Sequence, residues 1–208
     1  PAGGGWPDWR GECCAIIASG PSAKGAGVAR LRGRCRVIAI KENVDLFPEA
    51  DIVYGCDAPW WRYRRGLPEF HGLKVCYRDN HLADYPEIVR MDIEAKTDRL
   101  LLDEVGRIGG GGNSGFQALN IALQLGADRI ILVGFDMNDS APVHWYGRNR
   151  WPLANNPNAQ NFRRWRDAFG VAATQLQALG VRVVNASPKT ALTCFPVMTL
   201  DEALKDLA

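Results

Sequence analysis

The sequence has no apolar run near the roughly 20 residues that a membrane helix needs, so we expect no membrane span. No basic segment followed by an apolar one is found near residue 1, and we therefore expect no signal peptide. The net charge of +2 is too small to indicate a nucleic-acid partner by itself. No internal repeat is evident. With 47% hydrophobic and 23% charged residues, the composition is that of an ordinary globular protein.

The cysteine spacing of a zinc site is also missing. None of the six cysteines forms a CxxC pair, and zinc ligation would require paired thiolates at short spacing. We expect free, buried thiols in a reducing cytoplasm and no protein-bound metal as a default. The turn of residues 19–22 is neither a P-loop nor a GxGxxG motif, and no lysine follows it at the P-loop spacing.

What is present is an alternation of short apolar strands and amphipathic helices. Strands are predicted at residues 13–18, 36–40, 51–55, 73–77, 129–134 and 181–185, and the main helices after residue 113 and at 161–179 and 200–207. This pattern predicts an α/β fold, a single Rossmann-like domain with a mostly parallel, doubly wound sheet. We place that domain at residues 13–208, after a loose lead-in at 1–12. Residues 78–108 are expected to be irregular with strand fragments, and 138–157 to form a long loop or lid.

Residues 109–136 form the central stretch, which reads as a glycine loop, a helix, a buried strand and an acid. Asn113 or Ser114 is a plausible N-cap, which places free N–H groups and the positive helix end at the glycine loop. Asp136 follows the strand, where open α/β sheets bind ligands. The stretch predicts an anion site, although a glycine-rich turn entering an ordinary packing helix is an equal alternative.

Several polar residues follow strand ends and should therefore converge at one edge of the sheet. They are Ser19, Gly20, Pro21, Ser22, Asn43, Asp57, Asn113, Ser114, Gly115 and Asp136. The turn of residues 19–22 suits a phosphate or nucleotide, or is simply a tight strand-to-helix turn. Asp57 and Asp136 could hold Mg²⁺, accept from ribose hydroxyls, or cap helices.

The loop at residues 143–151 combines an imidazole, two guanidiniums and aromatic rings. His144 is a candidate general base, and Arg148 and Arg150 could neutralise a leaving phosphate. A surface loop with aromatic anchors is the alternative. Arginine clusters at residues 62–65 and 163–166, interleaved with tryptophans, could contact nucleic acid, but the solvated face of a helix is favoured.

Four of these elements carry a resemblance to a known superfamily. They are Gly20-Pro21-Ser22, Asn43, the helix start at residues 112–115 (GNSG) and residues 126–136 (GADRIILVGFD). The chain resembles the bacterial sialyltransferases of glycosyltransferase family 42 and the archaeal 6-hydroxymethyl-dihydropterin pyrophosphokinases (MptE-like). It is also similar to uncharacterised phage and prophage members of that group. The resemblance spans about residues 9–196.

The resemblance implies that the GPS turn, Asn43, Ser114 and Gly115 bind the nucleotide of an activated donor. In the sialyltransferases the base is the second histidine of an H-x-x-G-H pattern, and that position here is Arg148, which stays protonated. His144, the first histidine, is then the candidate base. Asp57 and Asp136 would line the cleft, and Arg148 would stabilise the leaving group.

The sequence thus predicts a nucleotide-dependent transferase, a glycosyltransferase with a nucleotide-activated sugar as donor. One alternative is a magnesium-dependent pyrophosphokinase that uses ATP, with Asp57 and Asp136 on the metal. Another is a non-catalytic nucleotide- or nucleic-acid-binding phage protein. We expect a cytoplasmic homo-oligomer, and no residue indicates the acceptor.

Overall fold

The structure, a computed structural model, describes residues 5–78, 82–139 and 142–207. Within these ranges eight strands form one sheet in the order β6-β5-β4-β3-β2-β1-β7-β8, and every neighbouring pair is parallel. The strands are β1 Cys13–Ile17, β2 Arg36–Ile40, β3 Ile52–Tyr54, β4 Leu73–Tyr77, β5 Val89–Glu94, β6 Arg107–Gly109, β7 Arg129–Val133 and β8 Arg182–Asn185.

Helices cover both faces of the sheet because successive strand side chains point to opposite sides. The helices are α1 Ala58–Tyr63, α2 Ser114–Gln124, α3 Ala159–Ala178 and α4 Leu200–Leu207, with short 3-10 helices at Pro21–Gly25, Val28–Leu31 and Lys41–Asp45. Cys14 and Ile16 of β1 pack with α2 and α3 on one face. Ala15 and Ile17 pack with α1 and α4 on the other. The predicted doubly wound α/β fold is confirmed.

Most strand boundaries follow the apolar runs of the sequence, and β2 and β4 match their predictions to the residue. Helix α3 begins two residues earlier than predicted because Asn158 and Asn161 form a capping box. The side-chain oxygen of Asn158 accepts from the N–H of Asn161, and the reverse bond is also made, each at 3.0 Å. None of the described helices combines the length and the apolar character of a membrane span. All six cysteines are free thiols.

The predicted lead-in, loop and irregular segment extend partly beyond the described residues. Residues 1–4, 140–141 and 79–81, respectively, lie outside them. Within the described lead-in, Trp9 is 1% exposed and its backbone N–H donates to the carbonyl of Leu125 at 2.6 Å. Trp9 therefore anchors this segment to the α2 side of the core.

Asn120, which is fully buried in α2, holds the segment around β6 in place. Its side-chain oxygen accepts from the N–H groups of Leu101 and Gly109, both at 2.9 Å, and its Nδ2 donates to the carbonyl of Leu101 at 2.7 Å. One amide thus satisfies backbone groups of Gly109, at the end of the short edge strand β6, and of Leu101, in the segment before it.

We expect Asn120→Leu to lower the free energy of unfolding by about 2–4 kcal/mol, since it leaves the buried N–H of Gly109 and the partly buried N–H of Leu101 without acceptors. Urea denaturation measures the change. Gln177→Leu, at an exposed position of α3, is the matched control and should leave the midpoint almost unchanged. Equal midpoints for Asn120→Leu and the control would contradict this role.

Candidate functional site

A cleft of about 610 Å³ opens at the carboxyl ends of the central strands. Its walls come from the turns after β1, β2, β3 and β7, from the N-terminus of α2, and from the segment between residues 143 and 165. The volume is in the range of small-molecule sites, and the position is where open α/β sheets bind ligands.

The N-terminus of α2 presents free backbone donors to this cleft. Asn113 is the N-cap, and its side-chain oxygen accepts from the N–H of Phe116 at 3.0 Å. The N–H groups of Ser114 and Gly115 precede the first intrahelical bonds, and both residues line the cleft. A Cβ on Gly115 would lie 2.7 Å from the ring of Phe135, so only glycine fits this close approach. The positive helix end and its N–H groups form a geometry that suits an anion.

Asp136 braces the turn after β1. Its carboxylate, 5% exposed, accepts from the backbone N–H of Ser22 at 3.2 Å and from its hydroxyl at 2.9 Å. A Cβ on Gly20 would lie 1.9 Å from Asp136 Oδ2, so the turn requires glycine there. Ser19, Gly20 and Asp136 line the cleft, whereas Pro21 and Ser22 lie outside its lining.

Asn43 is fully buried and does not line the cleft. Its Nδ2 donates to Ser19 Oγ at 3.0 Å and to the carbonyl of Ile40 at 2.6 Å. Its Oδ1 accepts from Trp145 Nε1 at 2.9 Å, and the Trp145 N–H donates to the carbonyl of Ser19 at 3.0 Å. Asn43 thus ties the turn after β1 to the loop that carries His144.

Lys41 is a cleft residue that our sequence analysis missed. It is the first residue after β2, and among the described residues that line the cleft it is the single lysine or arginine. Its ammonium forms an ion pair with Asp57 and lies 5.2 Å from the ring centroid of Trp151. Lys41 and Met137, both in the cleft, have φ values of 53° and 52°, and such strained non-glycine residues cluster at functional sites. The strand-end rule that selected Asn43 would have found Lys41.

His144 lines the cleft and carries a buried ring nitrogen without a hydrogen-bond partner among the described residues. Its ring stacks on Tyr146 with centroids 5.1 Å apart, and among the described residues no group bonds to its buried Nε2. Burial, and then the positive charge of Lys41, lower its pKa to about 4. The imidazole is therefore neutral near pH 7 and is able to accept a proton.

Arg148 and Arg150 do not line the cleft. They line a neighbouring pocket together with residues of α1 and its following turn. The structure therefore brings together Ser19, Gly20, Asp57, Asn113, Ser114, Gly115, Asp136 and His144, and leaves Pro21, Ser22, Asn43 and Arg148 outside the cleft lining.

The residues present do not fit a magnesium ion held by Asp57 and Asp136. The Asp57 carboxylate is paired with Lys41, and that of Asp136 is bonded to Ser22. No group of three histidine, cysteine, aspartate or glutamate side chains suited to a metal occurs in the described parts of the chain.

The arginine clusters are engaged largely within the protein. Arg64 pairs with Glu42 and Asp45, and Arg164 pairs with Asp98 at 2.6 Å. Arg166 donates to the carbonyl of Met137 at 2.7 Å. These contacts agree with the helix-surface interpretation rather than with a nucleic-acid interface.

No protein-family model and no curated protein matches the sequence. The fold does match solved structures of the sialyltransferase CstII from Campylobacter jejuni. The TM-score is 0.57 against the complex with cytidine-5'-monophosphate, at 14% identity over 91% of this chain and 86% of that chain. In complex with CMP-3FNeuAc it is 0.58, and with CMP and a trisaccharide acceptor 0.54, both at 14% identity over 90% and 86%.

The chain has the fold of this sialyltransferase. At such low identity the likeness establishes the fold and nothing finer. It confirms the fold that the resemblance to the sialyltransferases implied, while the resemblance to pyrophosphokinases and phage proteins stays a prediction.

We expect the imidazole of His144 to titrate with a midpoint of about 4. Lys41→Met should raise this midpoint, because the nearby positive charge disfavours the imidazolium. NMR of the ring protons against pH measures both, and Lys24→Met, at an exposed position outside the cleft, is the control. A midpoint near the ordinary value of about 6.5 in the folded protein would contradict the buried placement.

Proposed function

We propose that this protein is a glycosyltransferase that binds a nucleotide-activated sugar in the cleft. One observation carries the proposal: the free N–H groups at the start of α2 and the unpaired imidazole of His144 line the same cleft. The N–H groups can bind a phosphate, and the imidazole can act as a proton acceptor. The fold supports it, since CstII has been solved with CMP and with a CMP-sugar analogue.

In this proposal the donor phosphate lies at Ser114 and Gly115, with the ribose against the backbone of Ser19 and Gly20. Lys41 lines the cleft, and its positive charge balances the negative charge that develops on the leaving nucleotide. Asp57 keeps the Lys41 ammonium in position through their ion pair. No divalent metal is needed in this arrangement.

His144 takes the proton in the proposed reaction. The acceptor oxygen forms a bond to the anomeric carbon, and the bond from that carbon to the phosphate oxygen breaks. The nucleotide leaves with the electron pair, and the acceptor proton passes to His144. An imidazole with a pKa of about 4 is a weak base in the free protein. Binding of an anionic donor raises that pKa, because negative charge favours the imidazolium.

We expect millimolar CMP to raise the melting temperature by several degrees in EDTA, as a micromolar site would. Ser114→Asp should abolish this shift by repelling the phosphate while the protein stays folded, because aspartate is favourable at a helix N-terminus. Ser114→Asn is the neutral control and should retain most of the shift. An undiminished shift in Ser114→Asp would exclude the α2 site. A shift seen only with ATP and magnesium would favour the pyrophosphokinase.

Hydrolysis of CMP-N-acetylneuraminic acid tests the role of His144 without knowledge of the acceptor, because water then replaces the acceptor hydroxyl. We expect His144→Gln to slow CMP release by about 10²–10⁴-fold, the usual contribution of a general base. The thermal shift with CMP should persist in this variant. His71→Gln, at an exposed position outside the cleft, is the control. Equal hydrolysis by His144→Gln and wild type would remove His144 from the mechanism.

A further inference from the structure

A second pocket of about 540 Å³ adjoins the cleft, and we refer to it as the side pocket. It lies between the 3-10 helix that follows β2, the C-terminal end of α1 with its following turn, and the loop at residues 145–151. Tyr146 and Trp151 line both the side pocket and the cleft. The side pocket and the cleft therefore share these two residues in their walls.

The charges that face the side pocket are unbalanced toward the positive. Arg64 forms ion pairs with both Glu42 and Asp45. Arg65, Arg148 and Arg150 also line the pocket, are exposed, and form no ion pair with any described residue. Glu69 is the one remaining acid in the lining. The lining thus holds four guanidiniums and three carboxylates, a net charge of +1. The three guanidiniums without an ion pair to a described residue can bind a carboxylate or a phosphate through paired hydrogen bonds.

Aromatic rings supply the rest of the surface. Tyr63 is 50% exposed, and its ring centroid lies 6.4 Å from that of Trp151 at an interplanar angle of 41°. Trp145 and Tyr146 meet edge to face on the loop side. Amphipathic rings beside charged donors suit a ligand that has apolar faces and polar edges, as a sugar ring does.

We propose that the side pocket is the acceptor site and that the acceptor is an anionic saccharide, carrying a carboxylate or a phosphate. The inference rests on the proposed transferase function, because the adjacent cleft holds the donor in that proposal. Arg65, Arg148 and Arg150 bind the anionic group, and the rings contact the sugar. The acceptor hydroxyl then lies beside Tyr146 and reaches toward His144. The ring of His144 stacks on that of Tyr146.

Titration calorimetry tests the site without any turnover, with and without CMP. The carboxylate probe is a disaccharide ending in glucuronic acid, compared with the same disaccharide ending in glucose. The phosphate probe is galactose 6-phosphate, compared with galactose. We expect at least one anionic probe to bind more tightly than its neutral parent, and the preference to weaken as salt is raised. The probe that is preferred distinguishes a carboxylate from a phosphate.

The double variant R148M/R150M should weaken binding of the preferred probe by roughly tenfold or more, since it removes charge-assisted hydrogen bonds. Arg163→Met, an exposed arginine of α3 outside both pockets, should bind as wild type does. Equal binding of anionic and neutral probes, or undiminished binding in R148M/R150M, would overturn the inference. If CMP binds but no anionic probe does, the acceptor proposal alone is wrong. If the anionic probe binds and CMP does not, the transferase proposal fails and the anion site remains.

Discussion

The hydrogen bonds of Asn43 are the interaction on which the architecture of the cleft depends. This one buried amide bonds to the end of β2, to the turn after β1 and to the loop after β7, through Ile40, Ser19 and Trp145. Amide groups buried at 0% exposure must find partners, and all of these partners belong to segments that border the cleft. These bonds also fix the position of His144, because the ring of the neighbouring Trp145 is bonded to Asn43 and its backbone N–H to Ser19.

Asp136 plays the corresponding part on the β7 side. Its bonds to Ser22 fix the turn after β1 against the end of β7. The turn lies so close to the Asp136 carboxylate that no residue larger than glycine fits at position 20. A buried amide and a buried carboxylate, both bonded to groups of the protein itself, therefore shape the cleft. The groups left to meet a ligand are the N–H groups of Ser114 and Gly115, the Lys41–Asp57 pair and His144.

The sheet was predictable because most of its strands carry continuous apolar runs, such as VIAI in β2 and IILV in β7. The convergence of strand ends followed from the geometry of parallel sheets. What the residue pattern does not contain is the direction of each side chain at those ends. Ser22, Asn43 and Asp136 bond to groups of the protein itself, while Lys41 adopts a positive φ and lines the cleft. Arg148 lies in the side pocket because of the path of a long loop, which no local periodicity encodes.

The edge strand β6 was also difficult to predict from the sequence. Strand β6 has three residues, and its neighbourhood is held by Asn120 and Gln124 of α2 rather than by its own propensity. Such tertiary support overrides local signals, so the segment was predicted only as irregular with strand fragments. The long helices, in contrast, carry their own apolar stripes and caps, and their positions were predicted to within about two residues.

The central claim is that a nucleotide phosphate binds at the start of α2. Amide chemical-shift mapping by NMR, with CMP added in EDTA, tests it most directly. We expect the largest chemical-shift changes at Ser114 and Gly115, with smaller ones at Ser19 and Gly20. Shifts confined to the opposite end of the sheet, around Cys13 and Cys35, or no shifts at all, would contradict it.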